Sequence, residues 1–264
     1  MQVPFVKMQG AGNTILVVDR RGDGLPPPAA AVVQQLGDER TGPGFDQLMW
    51  LAPPRTEGAI ASYRVFNTDG SEVEQCGNGV RCVARWLSMG DEARRDVVLD
   101  SPAGTIEARV LDDDSVTVDM GPPTRPERIE LPVRGAALQV TILSMGNPHC
   151  VVDVDDVATA DIENLGPAIE RHERFPEGIN AGFMHVRDRT NIDLRVHERG
   201  VGETPACGTG ACAAVVAGQV SGRLDERVTV NLPGGQLVVS WPGGEAPVWL
   251  TGNAELVGEG TIDL

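Results

Sequence analysis

The chain has 264 residues, room for one large or two medium domains, and its 41% hydrophobic and 23% charged content excludes a disordered or collagen-like chain. Twenty-two basic against 38 acidic residues leave a formal charge of −16, which speaks against nucleic-acid binding and against docking on anionic lipid. No run approaches the roughly 18 apolar residues of a membrane span, and MQVPFVKMQG lacks the basic and apolar regions of a signal peptide, so a cytoplasmic setting without membrane partners is expected.

Thirty-two Gly and 19 Pro point to many turns and therefore many short elements. In chain order, residues 15–19 and 63–66 are short, β-branched runs bounded by Gly, Pro or Asp, the signature of strands. After Cys76, the residues Val80, Val83, Ala84 and Leu87 follow i, i+3, i+4, i+7, which predicts a helix with Gly90 as its C-cap. Residues 97–99, 105–110 and 116–120 read as strands, with Pro102-Ala103-Gly104 as a hairpin turn. The second half repeats this order: strands over 140–143 and 192–196, a helix carrying Ala211, Ala214, Val215 and Gly218 that stops at Gly222, then strands over 228–232, 237–241 and 248–251 around Pro233-Gly234-Gly235.

The halves also repeat residue by residue. Cys76-Gly77-Asn78-Gly79 recurs as Cys207-Gly208-Thr209-Gly210, 131 positions later, and the same offset carries Asn67 onto Glu198, Pro102 onto Pro233, Gly104 onto Gly235 and Gly121 onto Gly252. Upstream, Asn13, Gln47, Asn67 and Cys76 are spaced by 34, 20 and 9 positions; Asn147, Asn180, Glu198 and Cys207 by 33, 18 and 9. The expected fold is α+β: two pseudo-symmetric domains facing each other, each a largely antiparallel sheet or barrel wrapped around a mostly apolar helix with a cysteine at its start. Residues 1–120 form the half carrying Cys76, with about 250–264 returning to complete it, and 121–249 form the half carrying Cys207.

Five cysteines make an odd number in a chain of ordinary size and none forms CxxC, so reduced thiols are expected and no metal site. Cys82, Cys150 and Cys212 read as packing residues. Cys76 and Cys207 differ, because the first N–H groups of a helix lack intrahelical partners and the macrodipole is positive there, which favours thiolate. Two such helix ends aimed at one cleft would hold a carboxylate and set a thiol on each side of the carbon that bears it. One thiolate then removes the α-hydrogen and the opposite thiol returns a proton. A phosphate cradle is the rival reading of the glycine-rich loops; neither ends in GK[ST], and Gly10-Ala11-Gly12 lacks the third glycine of a dinucleotide fingerprint. Lys7 is the sole lysine, so a pyridoxal phosphate Schiff base would have to use it.

FVKMQGAGN near the start, Asn67-Thr68-Asp69-Gly70-Ser71 leading to Gln75-Cys76-Gly77-Asn78-Gly79-Val80-Arg81-Cys82, Met145-Gly146-Asn147-Pro148-His149, Pro176-Glu177-Gly178-Ile179-Asn180, and Glu198-Arg199-Gly200-Val201-Gly202-Glu203-Thr204 before Ala206-Cys207-Gly208-Thr209-Gly210-Ala211 together resemble the diaminopimelate epimerase family, from residue 3 to about 252. The resemblance implies an isomerase that interconverts LL- and meso-diaminopimelate, in the supply of lysine and peptidoglycan precursors, with Cys76 and Cys207 as acid and base and with no cofactor or metal. In the LL-to-meso direction it makes Cys207 the proton acceptor and Cys76 the donor. It assigns Gly77-Asn78 and Gly208-Thr209 to the reacting carboxylate, and Asn13, Gln47, Asn67, Asn147, Asn180, Glu198 and Arg199 to substrate contact. His149 and Glu198 match residues that tune the thiols. The implied partner is the small-molecule substrate, and a homodimer is the expected assembly. Where the family has Gly-Asn-Asp-Phe, this chain has Gly12-Asn13-Thr14-Ile15.

Two other readings stay open at this point. A proline or hydroxyproline racemase or epimerase would use the same two thiols but has no second carboxylate for Arg199 to grip. A thiol redox or metal-binding protein would need the CxxC pattern that is missing. The paired cysteines also predict reversible inactivation by mild oxidants, and the two domains are expected to close on a water-excluding cleft.

Overall fold

The β-branched runs do form strands, and they gather into two compact units, Met1–Asp119 with Gly252–Leu264 and Met120–Thr251. The computed structural model describes every residue except Glu74, Gln75 and Glu92; Gln75 of the first cysteine motif thus lies outside the described residues.

The first unit contains β1 (Gln2–Gly10), β2 (Asn13–Asp19), α1 (Ala30–Gly37), β3 (Gln47–Ala52), β4 (Ala61–Asn67), β5 (Glu72–Val73), α2 (Gly77–Met89), β6 (Asp96–Ser101), β7 (Gly104–Val110) and β8 (Val116–Asp119). The second contains β9 (Thr124–Val133), β10 (Ala136–Ser144), β11 (Pro148–Asp153), α3 (Ile162–Glu170), β12 (Asn180–Asp188), β13 (Asn191–Glu198), β14 (Gly202–Thr204), α4 (Gly208–Val220), β15 (Arg227–Leu232), β16 (Gly235–Ser240) and β17 (Trp249–Gly252). The chain ends in β18 (Glu255–Asp263), which pairs antiparallel with β1 from Gln2↔Asp263 onward.

Neighbouring strands in the first unit run β18, β1, β2, β3, β4, β6, β7, β8, and in the second β9, β10, β11, β12, β13, β15, β16, β17. Read along either row, the pairings are antiparallel except at the third and fifth, which are parallel: β2/β3 and β4/β6 in one, β11/β12 and β13/β15 in the other. The largely antiparallel, pseudo-symmetric α+β expectation therefore holds, with these parallel joints as an addition. Parallel neighbours need a crossover, and each joint has one: α1 and α3 cross at the first, α2 and α4 at the second. Helices α1 and α3 escaped the sequence pattern because they are 8 and 9 residues long, and α3 carries Pro167.

The cysteine-headed helices are the buried ones. Helix α2 packs against β7, β8 and β1; Val80, Val83, Ala84 and Leu87, the face expected from its spacing, are buried, and so is every other residue from Gly77 to Ala84, Arg81 and Cys82 included. Helix α4 packs against β11, β12 and β16 and is buried without a break from Gly210 to Gly218, as a helix apolar on all sides must be. Gly90 ends α2 in the right-handed region (φ −79°), so its flexibility is not used there; Gly222, just past the cap Ser221, sits at φ +74°, where glycine is the natural choice. On their other side the sheets carry second cores: Val33 and Leu36 of α1 on Leu16, Leu48 and Trp50, and Ile162 and Ile169 of α3 on Cys150, Val152 and Phe183.

Candidate active site

In each unit the polar residues singled out by the repeat stand at strand ends, and in the second unit hydrogen bonds tie two of them to the start of the cysteine-headed helix. Within the first, the turn from β1 to β2 brings Asn13 opposite Gly10, with Ala11 at φ +50° and Gly12 at φ +84°. Two successive left-handed residues are the geometry of a tight two-residue hairpin. Ala11 tolerates it while its N–H donates to Asn253 Oδ1 (3.3 Å). Thr14, which stands where the family has Asp, is used through its backbone: its N–H donates to Asp46 Oδ2 (2.7 Å) and its carbonyl accepts from the Asp46 N–H (2.8 Å).

Register places Gln47 of β3 opposite Asn67 of β4, and Gln47 Nε2 donates to Asn67 Oδ1 (3.2 Å). Asn67 Nδ2 in turn donates to Ser71 Oγ (3.1 Å), whose own hydroxyl donates to Asp69 Oδ1 (2.5 Å). The Asp-Gly-Ser motif therefore orients Asn67. Cys76 caps α2, its Sγ accepting the Gly79 N–H at 3.2 Å, and it is half-buried. Two buried acceptors beside these residues, Gln47 Oε1 and Asn78 Oδ1, have no hydrogen-bond partner among the described residues. An unpaired buried acceptor is costly, and a ligand bringing N–H donors would remove that cost.

The second unit builds the same frame with different chemistry. Cys207 caps α4 and is 5% exposed. Its Sγ–H donates to Glu198 Oε2 (3.2 Å), and Thr209 Oγ1 lies 3.6 Å from the same sulfur. Burial, and after it the Glu198 carboxylate, push this thiol well above its ordinary range, against the pull of the Thr209 hydroxyl and the Gly210 N–H. The helix start still favours thiolate at Cys207 through the Gly210 N–H, but desolvation of the charged form and a carboxylate at hydrogen-bond distance outweigh it. Thr204, not singled out in the sequence, donates from Oγ1 to Glu198 Oε1.

His149 is 1% exposed, and burial followed by the charge of Arg199 lowers its imidazole to about 3, so it is neutral. Its Nε2–H donates to Asn147 Oδ1 (3.0 Å), and Asn147 Nδ2 donates to Thr209 Oγ1 (3.3 Å). His149 reaches toward Cys207 through this relay. Asn180, across the parallel joint from His149, is 4% exposed and tied to backbone on both sides: Nδ2 donates to the Pro148 carbonyl (2.8 Å), and Oδ1 accepts the Arg199 N–H (3.0 Å). Arg199 Nη1 donates to the Glu177 carbonyl (3.1 Å), which engages one of the five N–H donors of its guanidinium.

The second glycine of each Cys-Gly-x-Gly has a packing reason. A Cβ on Gly79 would lie 2.6 Å from Met49 Sδ, and one on Gly210 would lie 3.0 Å from Val196 Cγ2. Cys82 and Cys150 are buried and pushed up to about 12, as packing cysteines are. Lys7, the sole lysine, donates to the Pro43 carbonyl (2.8 Å). Among the described residues no group of His, Cys, Asp and Glu is arranged to hold a metal ion, and no helix is long and apolar enough to cross a membrane.

Comparison with known proteins places this frame. A probable proline racemase from Agrobacterium radiobacter K84 superposes with a TM-score of 0.72 at 18% identity, over 99% of this chain and 93% of the other, which shows a shared fold. The diaminopimelate epimerase of Laribacter hongkongensis is 51% identical and that of Alkalilimnicola ehrlichii 47%, each over the full length of both chains. The diaminopimelate epimerase family profile matches residues 5–126 and 141–257, a span that takes in both thiols and every polar residue described above, and the chain belongs to that family.

Proposed function

We propose that this isomerase converts LL-2,6-diaminopimelate to meso-2,6-diaminopimelate by passing protons between one α-carbon and two thiols. The observation that carries the reading is the matched placement of Cys76 and Cys207, each capping a buried helix at the same point of a repeated strand frame. The backbone N–H groups after each cysteine, at Gly77-Asn78 and Gly208-Thr209, serve the carboxylate of the reacting carbon, because a helix start is an anion site. Cys207 accepts the α-proton of the LL isomer and Cys76 supplies the new one.

Before it acts as a base, Cys207 must lose its own proton, and Glu198 at 3.2 Å is placed to receive it. The unpaired acceptors Gln47 Oε1 and Asn78 Oδ1 suit an ammonium group. Asn13, Asn67, Asn147, Asn180 and Arg199 complete the contacts, with the guanidinium facing the distal carboxylate. His149 acts at one remove, by holding Asn147.

Proton NMR in deuterated water, with reduced protein, LL-diaminopimelate and no added cofactor, tests the reading. Deuterium entering one α-position as meso isomer appears is the expected result. Absence of exchange in folded, reduced protein would overturn it, and exchange with proline instead would move the assignment to the racemase branch that shares the fold.

A further inference from the structure

We propose that Thr204 is a positioning residue for Glu198 and, through it, for Cys207, an inference that rests on the thiol-based reading above. Three groups make one chain: the Thr204 hydroxyl donates to Glu198 Oε1, and Glu198 Oε2 accepts from the Cys207 thiol at 3.2 Å. A carboxylate on a flexible stem has no fixed direction of its own. With one oxygen held by a hydroxyl on the neighbouring strand, the other is left pointing at the sulfur.

The internal repeat supplies a control inside the same molecule. β14 pairs with β13 so that Val196 faces Thr204, and in the first unit β5 pairs with β4 so that Val65 faces Val73. These registers coincide under the 131-residue offset, so Val73 is the counterpart of Thr204 just as Asn67 is the counterpart of Glu198. Where the acceptor is a carboxylate, the frame provides a hydroxyl to hold it; where it is an amide, the same position is apolar. In this chain the hydroxyl at that position accompanies the carboxylate and is absent beside the amide. Asn67 is oriented differently, by Ser71.

The groups that face Cys207 are Glu198 from β13 and, from α4, Thr209 Oγ1 and the Gly210 N–H. Losing the Thr204 hydroxyl frees Glu198 to turn from the sulfur, so Cys207 loses the partner that accepts its proton and turnover falls, while the carboxylate charge opposes the thiolate less and the Cys207 midpoint drops. The test uses full-length enzyme with Thr204→Val, which keeps the β-branched shape, and Thr204→Ser, which keeps the donor; Thr204→Ala stands in if the Val variant does not fold. Expected for Thr204→Val are an about tenfold fall in kcat with KM unchanged and, by peptide-resolved iodoacetamide labelling across pH, a Cys207 midpoint lowered by about one unit. The Cys76 midpoint should not move, and Thr204→Ser should restore both values. On a Glu198→Gln background, adding Thr204→Val should change kcat by less than about twofold.

An unmoved Cys207 midpoint, an equal loss in Thr204→Ser, or a full additional loss on the Glu198→Gln background would each overturn the proposal. Failure of wild-type enzyme to epimerise diaminopimelate would overturn the functional reading instead, while the labelling profile would still decide the role of Thr204.

Discussion

The two thiols sit in one frame built twice, yet the groups that touch the two sulfurs differ. Cys76 is half-buried and accepts a hydrogen bond from the Gly79 N–H; Cys207 is 5% exposed and donates one to Glu198. Asn67, Val73 and Asn78 in the first unit stand where the second has Glu198, Thr204 and Thr209. Ile15, across the parallel joint from Gln47, stands where the second unit has His149 across from Asn180. A symmetric frame thus holds two thiols in asymmetric surroundings. The strands and glycines fix where each sulfur lies, and a handful of side chains on that frame decide what each sulfur does with its proton.

The largest expected effect tests whether both halves are needed at all. Replacing either sulfur, as Cys76→Ala or Cys207→Ala, should lower turnover by about 10³-fold or more in both directions, because each thiol serves once as acid and once as base. Chiral chromatography of the product mixture checks this. A variant that kept a tenth of wild-type turnover would break the comparison, since one thiol would then suffice.

A smaller effect separates the neutral histidine from its apolar counterpart. With its imidazole at about 3 in the folded chain against 6.5 when free, His149 is neutral in the fold and takes up a proton on unfolding below pH 6.5. Its contribution to stability is therefore complete above pH 6.5 and is lost as the pH falls toward 3, by about 1.4 kcal/mol per pH unit at the steepest. His149→Ile, which installs the residue found in the first unit, should flatten the dependence of the urea midpoint on pH across that window. It should also lower stability at neutral pH by about 1–3 kcal/mol, since Asn147 Oδ1 loses its donor. Parallel pH curves for the two proteins would contradict the assignment.

Much of the frame was legible in the sequence because its signals are local. The spacing of Val80, Val83, Ala84 and Leu87, the hairpin residues Pro102-Ala103 and Pro233-Gly234, and the recurring Cys-Gly-x-Gly each determine structure over a few residues. The parallel joints were not legible, since β2 and β3 become neighbours only through a crossover and neither carries a mark of its partner. Ala11 at φ +50° was hidden as well, because alanine does not advertise a left-handed turn.

At the site, the residue identities were read but their mutual arrangement was not. Glu198 is expected from the sequence to tune the thiols. That it would join burial in holding Cys207 protonated depends on a 3.2 Å contact and on desolvation, neither of which has a sequence signature. Asn180, expected as a substrate contact, ties the Pro148 carbonyl to the Arg199 N–H, a link between segments far apart in sequence. The repeat runs further than the site residues: the 131-residue offset also carries Arg64 onto Arg195 and Glu72 onto Glu203.

That part of the repeat gives the smallest and sharpest comparison. Arg64 grips Glu72 through Nε and Nη2 at 2.7 and 2.6 Å, and Arg195 grips Glu203 in the same way at 2.6 and 2.8 Å, each pair bracing its short hairpin, β4–β5 or β13–β14. Surface ion pairs contribute about 0.2–1 kcal/mol, and the two pairs should divide that range. The Arg64 and Glu72 side chains are 48% and 38% exposed, against 25% and 32% for Arg195 and Glu203, and Arg195 Nη1 also donates to the Val157 carbonyl at 2.8 Å. Arg195→Ala should therefore cost more in thermal stability than Arg64→Ala, and the Arg64 effect should fade further in molar salt, which screens exposed charges. Activity separates the pairs more clearly than stability. Glu203 adjoins Thr204, so loosening its hairpin reaches Glu198 and Cys207, whereas Glu72 adjoins Val73, which holds no acceptor. Arg195→Ala should lower kcat a few-fold and Arg64→Ala should leave it within assay error. Equal kcat in the two variants would mean that β14 holds Thr204 in place without its ion pair, and that the asymmetry between the thiols ends at the residues in contact with them.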